Sequence, residues 1–516
     1  MAAKKATKAT KSKKKAPKRA ARKSARKANG KTPTSFDYDL LVIGSGPGGH
    51  RAAIQGSKLG KRVALAEKNV LMGGVCVHTG TIPSKTLREA ALHLTGYRER
   101  AIYGASYTVK EDITMGDLLQ RAHYVINHEQ DVLCHQLRRN GVDILGGAAK
   151  FVDPHTVRVG GDNGGASRTV TADKIVIATG TKTAKDPSIQ FDGENIFTSD
   201  ELLDLNNLPS SITVIGAGVI GLEYATIYAA IGTRVTLVDS RPRLLDFIDA
   251  EVIDTLVYQM RQNRVTIRLG ETVSAVETFK DGDQTRVKVS LESGKEFATQ
   301  KALVSVGRMG ATDKLGLENA GITPDGRGRL KVNDEFRTEV AHIFAVGDVI
   351  GFPSLASTSR EQGRLAVCHA FNYEAESMSS LFPYGIYTIP EISVCGRTEE
   401  ELTEAGVPYE IGKASYREIS RGHIIGDELG FLKLLFHLQT RELLGVHIIG
   451  EGASELVHIG QAVMGAGGKI DHFIKTVFNY PTLAECYKAA AFNGINRLAQ
   501  LPPSADVDKD SLPVTL

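Results

Sequence analysis

The stretch Tyr38-Asp-Leu-Leu-Val-Ile-Gly-Ser-Gly-Pro-Gly-Gly49 decides the fold, because it joins a short apolar run to a glycine-rich turn. The apolar run is typical of a strand buried on both faces of a parallel sheet. Gly44, Gly46 and Gly49 have the spacing that allows a tight strand-to-helix turn and close approach of a pyrophosphate. Glu67 follows Gly49 by 18 residues, where its carboxylate can accept hydrogen bonds from a ribose diol. The stretch therefore predicts a dinucleotide-binding strand, helix and strand.

The same pattern returns 172 residues further along the chain. There the run Ser211–Ile215 leads into Gly216, Gly218 and Gly221, and Asp239 follows the third glycine by 18 residues. The repeat predicts an α/β fold with two Rossmann-like dinucleotide-binding domains. Two such sites imply two dinucleotides, one held as a resident cofactor and one exchanged, as when a flavin accepts hydride from a diffusible nicotinamide.

The second site carries mixed signals for its nucleotide. Asp239 favours the free 2′-hydroxyl of NAD, whereas Arg241 and Arg243 could meet the 2′-phosphate of NADP. Both arginines could equally be surface charges. The sequence therefore leaves the choice between NAD and NADP open.

Charged residues are distributed unevenly along the chain. Residues 1–34 contain 14 of the 63 Lys and Arg residues and no acid, so the remainder carries a net negative charge. Such a Lys-rich tract cannot bury enough apolar surface to fold and is predicted to be a disordered tail. It could bind nucleic acid or anionic surfaces through counterion release, or it could be a solvating extension or a mitochondrial transit peptide.

The composition argues against several other classes of protein. No apolar run reaches the ~18 to 20 residues of a membrane span, and no secretory signal follows the basic start, so a cytoplasmic protein is expected. The five cysteines lack the spacing of a zinc site or a disulfide framework. The 14 histidines lack metal-ligand spacing, so no metal is expected.

The segment Gly73-Gly-Val-Cys-Val-His-Thr-Gly-Thr-Ile-Pro-Ser-Lys85 resembles the active-site segment of the pyridine nucleotide-disulphide oxidoreductases. The resemblance extends over about residues 37–498. It implies FAD as the resident cofactor, NAD(H) and NADP(H) as substrates, and a homodimer with higher assembly left open. Four shorter matches accompany it: Ala178–Gly180, Gly307–Arg308, Val346–Asp348 and Tyr387–Glu391.

The resemblance also implies roles for individual residues. It places Lys85 beside the flavin, paired with Glu223, and Asp348 on the ribityl chain of the flavin. A positive charge at Lys85 would stabilise negative charge on the reduced flavin. The residues expected to contact FAD are Gly44, Gly46, Gly49, Glu67, Lys68, Gly74, Cys76, Lys85, Ala149, Thr179, Gly180, Asp348 and Ala356. The residues expected to contact the nicotinamide nucleotide are Gly216, Gly218, Gly221, Asp239, Arg241, Arg243 and Gly307.

The expected domain order follows from these motifs and from a change of pattern near residue 378, where alternating strands and helices indicate a C-terminal α+β domain. The expected domains are a disordered basic tail at 1–36, an FAD-binding domain at 37–183 continued at 310–377, an NAD(P)-binding domain at 184–309, a dimerisation domain at 378–500 and a C-terminal tail at 501–516.

Two departures from the family pattern bear on function. Disulfide reductases of the family carry two cysteines five positions apart, whereas here Cys76 is followed at that spacing by Thr81. Where the family has a catalytic histidine before Pro-Thr, this chain has Tyr480, although the orienting acid remains as Glu485. One thiol cannot form the relay disulfide, and a phenol is a poor proton acceptor at neutral pH.

The sequence therefore predicts a flavoprotein that transfers hydride between NADPH and NAD through FAD, without a redox-active disulfide. Alternatives are a diaphorase-like reductase of quinones, oxygen or peroxide, a dihydrolipoamide dehydrogenase-like enzyme, and a nucleic-acid-associated protein whose basic tail is the working part. Cys76 is expected to be buried and inert, with cycling through a sulfenic acid as the other possibility.

Overall fold

The computed structural model describes residues 36–69, 71–160 and 166–500. The expected tails at 1–36 and 501–516 lie outside the described residues, except for Phe36. No helix in the described ranges has the length and apolar character needed to cross a membrane.

The first sheet is built around the strand that the opening stretch predicts. That strand, β1, lies between two parallel neighbours, β2 and β6, and all of its residues are buried except Asp39. The elements of this part of the chain are β1 (Tyr38–Ile43), α1 (Pro47–Lys58), β2 (Val63–Glu67), α2 (Gly74–His78), α3 (Thr81–Leu94), α4 (Arg100–Tyr103), α5 (Met115–Arg139), β3 (Asp143–Gly146), β4 (Ala149–Asp153), β5 (Thr156–Val159), β6 (Arg168–Ile177) and β7 (Thr181–Thr183).

The second sheet repeats this arrangement. Strand β9 lies between β10 and β15, and the parallel order across the sheet is β11-β10-β9-β15-β8. An antiparallel three-stranded sheet, β12-β13-β14, packs beside it. The elements are β8 (Ile196–Thr198), β9 (Ser211–Ile215), α6 (Val219–Ala230), β10 (Arg234–Asp239), α7 (Ala250–Gln262), β11 (Thr266–Leu269), β12 (Val273–Asp281), β13 (Gln284–Leu291), β14 (Glu296–Thr299), β15 (Lys301–Val304) and β16 (Arg308–Gly310).

The chain then returns to the first sheet, because β17 pairs in parallel with β6, and afterwards forms a separate antiparallel sheet in the order β18-β19-β22-β21-β20. The elements are β17 (Ile343–Ala345), α8 (Ala356–Ala370), β18 (Tyr384–Ile386), β19 (Ile392–Gly396), α9 (Glu399–Glu404), β20 (Tyr409–Ser415), α10 (Ser420–Ile425), β21 (Phe431–His437), β22 (Leu443–Ile449), α11 (Ala453–Gly465), α12 (Asp471–Lys475) and α13 (Glu485–Gln500).

Candidate functional site

The two glycine-rich turns are built with nearly the same close contacts. Gly44 and Gly216 have φ angles of 101° and 97°, which side chains of L-residues rarely allow. A Cβ atom on Gly49 would lie 1.9 Å from the carbonyl oxygen of Gly44, and one on Gly221 would lie 1.9 Å from that of Gly216. Each helix therefore packs against its preceding strand at a distance that only glycine permits.

The acid at the end of the second strand supports the turn in both units. Glu67 Oε2 accepts hydrogen bonds from the backbone nitrogen of Ser45 at 2.9 Å and from its hydroxyl at 2.6 Å. Asp239 Oδ2 accepts from the backbone nitrogen of Ala217 at 2.6 Å. Because Ser45 and Ala217 each follow the first glycine of their turn, the acids hold equivalent positions at the ends of parallel strands.

The first turn opens into a cavity of about 680 Å³. Most of the residues expected to contact FAD line it, whereas Gly49 and Lys85 are not part of its lining. The expected residues in the lining are Gly44, Gly46, Glu67, Lys68, Gly74, Cys76, Ala149, Thr179, Gly180, Asp348 and Ala356. Thr81 also contributes to it.

The lining of this first cavity fits a ligand rich in hydroxyl and phosphate groups. Thr179 Oγ1 is buried and has no hydrogen-bond partner among the described residues. Burial raises the pKa of Asp348, although the charge of Arg308 and a hydrogen bond with Thr181 act in the opposite direction. Both side chains can therefore gain a polar partner from a bound dinucleotide. Gly74 leaves room for the turn, since a Cβ there would lie 3.2 Å from Gly46 Cα.

Lys85 and Glu223 form an ion pair between α3 and α6. Lys85 Nζ lies 2.7 and 2.8 Å from the two carboxylate oxygens of Glu223. Glu223 is 4 % exposed and also accepts from Ser84 Oγ at 3.1 Å and from the backbone nitrogen of Tyr387 at 3.0 Å. The Tyr387 ring lies under the ammonium, with its centroid 4.8 Å from Nζ. These partners hold one positive charge in a fixed place one turn after Thr81.

Cys76 is a free, half-buried thiol at the start of the same region. Burial raises the pKa of the Cys76 thiol above its ordinary value, while a hydrogen bond with Thr81 lowers it in part. The raised pKa means that the thiol is protonated near neutral pH and is a weak nucleophile.

The second turn opens into a cavity of about 450 Å³. The expected residues in its lining are Gly216, Gly218, Asp239, Arg241 and Gly307, whereas Gly221 and Arg243 are not part of it.

Asp239 and Arg241, which both line the second cavity, are joined by hydrogen bonds. The guanidinium of Arg241 donates to the Asp239 carboxylate through Nε at 2.9 Å and through a terminal nitrogen at 2.8 Å. Hydrogen bonds from Arg241 lower the pKa of Asp239, against the effect of burial. By contrast, Arg243 is 64 % exposed and lies 3.9 Å from Glu400.

Arg241→Ala is expected to weaken binding of NADPH by about tenfold or more while changing NADH binding much less. The variant removes a guanidinium that can pair with a 2′-phosphate and leaves the Asp239 carboxylate to repel that phosphate, and a charge-assisted bond of this kind is worth about 1.5 to 3 kcal/mol. Titration of each nucleotide against the oxidised protein measures the two dissociation constants. Arg243→Ala is the matched control and should change neither; a larger effect there would reverse the assignment of the two arginines.

Tyr480 and Glu485 are not part of either cavity lining. Tyr480 is 72 % exposed, and its hydroxyl lies 2.7 Å from Ser420 Oγ. Glu485 begins α13 and accepts a hydrogen bond from the backbone nitrogen of Thr482 at 3.3 Å. Any role of these two residues in chemistry stays a prediction.

Three supporting residues were missed by reasoning from the sequence. Ser45 holds Glu67, Ser84 donates to Glu223, and Tyr387 contacts both members of the ion pair. Ser45 could have been found from its place inside the first glycine motif. Tyr387 opens the Tyr387–Glu391 match noted above, but its contact with Glu223 spans 164 residues and left no local signal.

Known proteins of one family match most of the chain. A model of the pyridine nucleotide-disulphide oxidoreductases matches residues 38–363, and a model of the dimerisation domain of the same family matches residues 382–491. The soluble pyridine nucleotide transhydrogenase of Mycobacterium bovis BCG is 53 % identical over 465 residues, which are 90 % of this chain and 98 % of that protein. The protein of the same name from Colwellia psychrerythraea is 44 % identical over 468 residues, which are 90 % and 99 % of the two chains.

Solved structures resemble the chain at lower identity. The HOCl-induced flavoprotein disulfide reductase RclA from Escherichia coli is 27 % identical with a TM-score of 0.79, and the match covers 88 % of this chain and 99 % of that one. LpdA from Mycobacterium tuberculosis is 26 % identical with a TM-score of 0.80, covering 88 % and 98 %. By its motifs, its two nucleotide turns and these matches, the chain belongs to the pyridine nucleotide-disulphide oxidoreductase family.

Proposed function

We propose that the protein is an FAD-dependent pyridine nucleotide transhydrogenase that moves hydride between NADPH and NAD. The observation that carries the proposal is the combination of two matching dinucleotide turns with a single thiol, Cys76, facing Thr81. Two relatives that cover nearly the whole chain bear the name of this activity. Cys76 is free and has no second cysteine beside it in the part of the chain that the structure describes, so electrons have no thiol route to a disulfide substrate.

The residues of the first cavity contribute binding and electrostatics. FAD, when bound, supplies the capacity to accept and return a hydride. The turn that contains Gly44 and Gly46 presents backbone nitrogens to a pyrophosphate, while Glu67 is placed for a ribose diol. Lys85, fixed by Glu223, supplies a positive charge that needs no reorganisation during the reaction.

The residues of the second cavity bind one nicotinamide nucleotide after another. The Asp239 carboxylate can accept hydrogen bonds from the ribose hydroxyls of either nucleotide. When a 2′-phosphate is present, the Arg241 guanidinium can turn toward it or donate to both the phosphate and Asp239. The protonated Cys76 thiol does not act as a nucleophile. Catalysis on this view consists mainly of positioning two rings against each other.

An anaerobic titration tests the proposal directly. NADPH added to the oxidised holoenzyme should bleach the flavin fully at two electrons per FAD, and NAD added afterwards should restore its absorbance within one turnover. Consumption of four electrons would reveal a redox-active disulfide and overturn the proposal. Reoxidation by a quinone but not by NAD would identify a diaphorase-like reductase instead.

Cys76→Ser is the control variant for this titration. It removes the thiol and keeps a hydroxyl of similar size, so the two-electron endpoint and the rate of NAD-dependent reoxidation should not change. A large loss of rate in this variant would show that the thiol takes part in the reaction.

The domain arrangement and the expected dimer are consistent with this function. The return of β17 to the first sheet supports an FAD-binding domain at 37–183 and 310–377, interrupted by the NAD(P)-binding domain at 184–309. The match to a family dimerisation domain supports a homodimer formed through 378–500. We retain a cytoplasmic location as a prediction.

We also propose that the basic segment 1–34 binds nucleic acid or another polyanion. With 14 basic residues and no acid, it should shift duplex DNA in a gel at low salt, and removal of the segment should abolish the shift. The shift should weaken steeply as salt rises, because binding releases counterions. An unchanged mobility of DNA with the full chain in low salt would eliminate this role, and transhydrogenation should be the same in both forms.

A further inference from the structure

A cluster of charges centred on a buried ion pair joins the second nucleotide-binding unit to the C-terminal sheet, and none of its members lines either cavity. Lys433 on β21 is 1 % exposed, and its ammonium donates to the two carboxylate oxygens of Asp249 at 3.1 and 2.9 Å. Asp249 is also 1 % exposed. Lys433 further contacts Glu399, at the start of α9, and Glu251, 3.2 Å away in the first turn of α7.

The chemistry of the cluster indicates a permanent ion pair. Burial alone would lower the pKa of Lys433, but hydrogen bonds with Glu399 and Asp249 raise it above the ordinary value. His447 lies opposite Lys433 on β22, and burial lowers its pKa, which disfavours a second positive charge beside the ammonium. The carboxylates of Asp249, Glu251 and Glu399 lie close enough to share a metal ion, yet the ammonium contacts all three and takes the place of a cation.

The cluster connects to the second cavity through a short segment of chain. Asp249 caps α7 by accepting from the backbone nitrogen of Glu251 at 3.1 Å, and it ends the segment 240–248. That segment begins directly after Asp239 and carries Arg241 into the cavity wall. One end of the segment is therefore held by the two hydrogen bonds from the Arg241 guanidinium to Asp239. The other end is held by the ion pair between Lys433 and Asp249.

We propose that Lys433, in the C-terminal sheet, is a positioning residue for the second nucleotide site: by holding Asp249, it fixes the segment that presents Arg241 to the adenosine ribose of the bound nucleotide. Nucleotide affinity thereby depends on a contact made by the dimerisation domain. The inference rests on the proposed function only in that the second cavity binds a nicotinamide nucleotide.

The test compares variants that separate positioning from stability. Lys433→Met alone leaves the buried Asp249 carboxylate without its ammonium and can unfold the protein. The double variant Lys433→Met/Asp249→Asn removes the two fully buried charges while asparagine still caps α7, and the remaining carboxylates of Glu251 and Glu399 are partly exposed. In the FAD-loaded double variant, the dissociation constant of NADP⁺ should rise by about tenfold. Hydrogen exchange at residues 240–249 should become faster. FAD content should stay at the wild-type level.

Lys413→Met is the matched control, because Lys413 contacts Glu251 from the partly exposed edge of the same cluster. It should change neither the dissociation constant nor the exchange rates. If the double variant binds NADP⁺ as the wild type does, with unchanged exchange at 240–249, Lys433 only stabilises the fold and the inference is overturned. Wild-type protein that binds no nicotinamide nucleotide would overturn both proposals, whereas normal binding without NAD-dependent reoxidation would remove transhydrogenation alone.

Discussion

Gly221→Ala should abolish reduction by NADPH while leaving FAD bound. The new Cβ would lie 1.9 Å from the carbonyl oxygen of Gly216 and 2.7 Å from Ser305 Oγ, so the helix has to move away from its strand. The carbonyl belongs to backbone that cannot rotate aside, and the displaced helix end loses its alignment with the pyrophosphate. We expect the dissociation constants of both nucleotides to rise by at least 100-fold, which is about 2.7 kcal/mol.

The measurement for this variant combines the FAD-to-protein ratio with nucleotide titration. Gly49→Ala is the matching change in the first turn, where a Cβ would again lie 1.9 Å from a carbonyl oxygen. This variant should lose FAD rather than nucleotide binding. Gly146→Ala is the neutral control, since nothing lies within 4 Å of the Cβ and no positive φ is required. Loss of FAD from Gly221→Ala with nucleotide binding intact would show that the two sites have been assigned in the wrong order.

Lys85→Met should lower the rate of hydride transfer by about 100-fold or more, as expected when a preorganised charge is removed from the place where opposite charge develops. The variant keeps the length and apolar stem of the side chain but removes the ammonium. Glu223 then retains only Ser84 and the backbone nitrogen of Tyr387 as the hydrogen-bond donors described above. Rapid-reaction kinetics of flavin bleaching by NADPH would measure the step without a contribution from product release.

A surface ion pair provides the control for Lys85→Met. Lys110 and Asp117 are joined at 2.7 Å, the same distance as Lys85 and Glu223, but the Lys110 side chain is 42 % exposed. Lys110→Met should leave the rate unchanged because exposed pairs contribute little. The reduction potential of bound FAD should fall in Lys85→Met and stay constant in Lys110→Met. A wild-type rate and potential in Lys85→Met would remove Lys85 from the catalytic machinery.

Features that depend on neighbours in the sequence could be predicted. The strand, glycine turn and helix of each nucleotide-binding unit follow from patterns among neighbouring residues. The placement of Glu67 and Asp239 follows from a fixed spacing after the turn. The duplication at a constant offset also revealed that the chain contains two such units. The pairing of Lys85 with Glu223 was available only through resemblance to a family, because 138 residues separate the two side chains.

The sequence alone determined the two glycine turns, the acids that follow them and the single thiol at Cys76. These features depend on residue identity and on spacing between neighbours, so no distant contact is needed to predict them. Tertiary structure decided which groups meet: Tyr387 contacts Glu223, Lys433 contacts Asp249, and Arg241 rather than Arg243 lines the second cavity. The physical reason is that the members of these charge pairs, which are 138 and 184 residues apart, meet only when separate parts of the chain pack together. Patterns of neighbouring residues do not predict which buried carboxylate will pair with a distant ammonium.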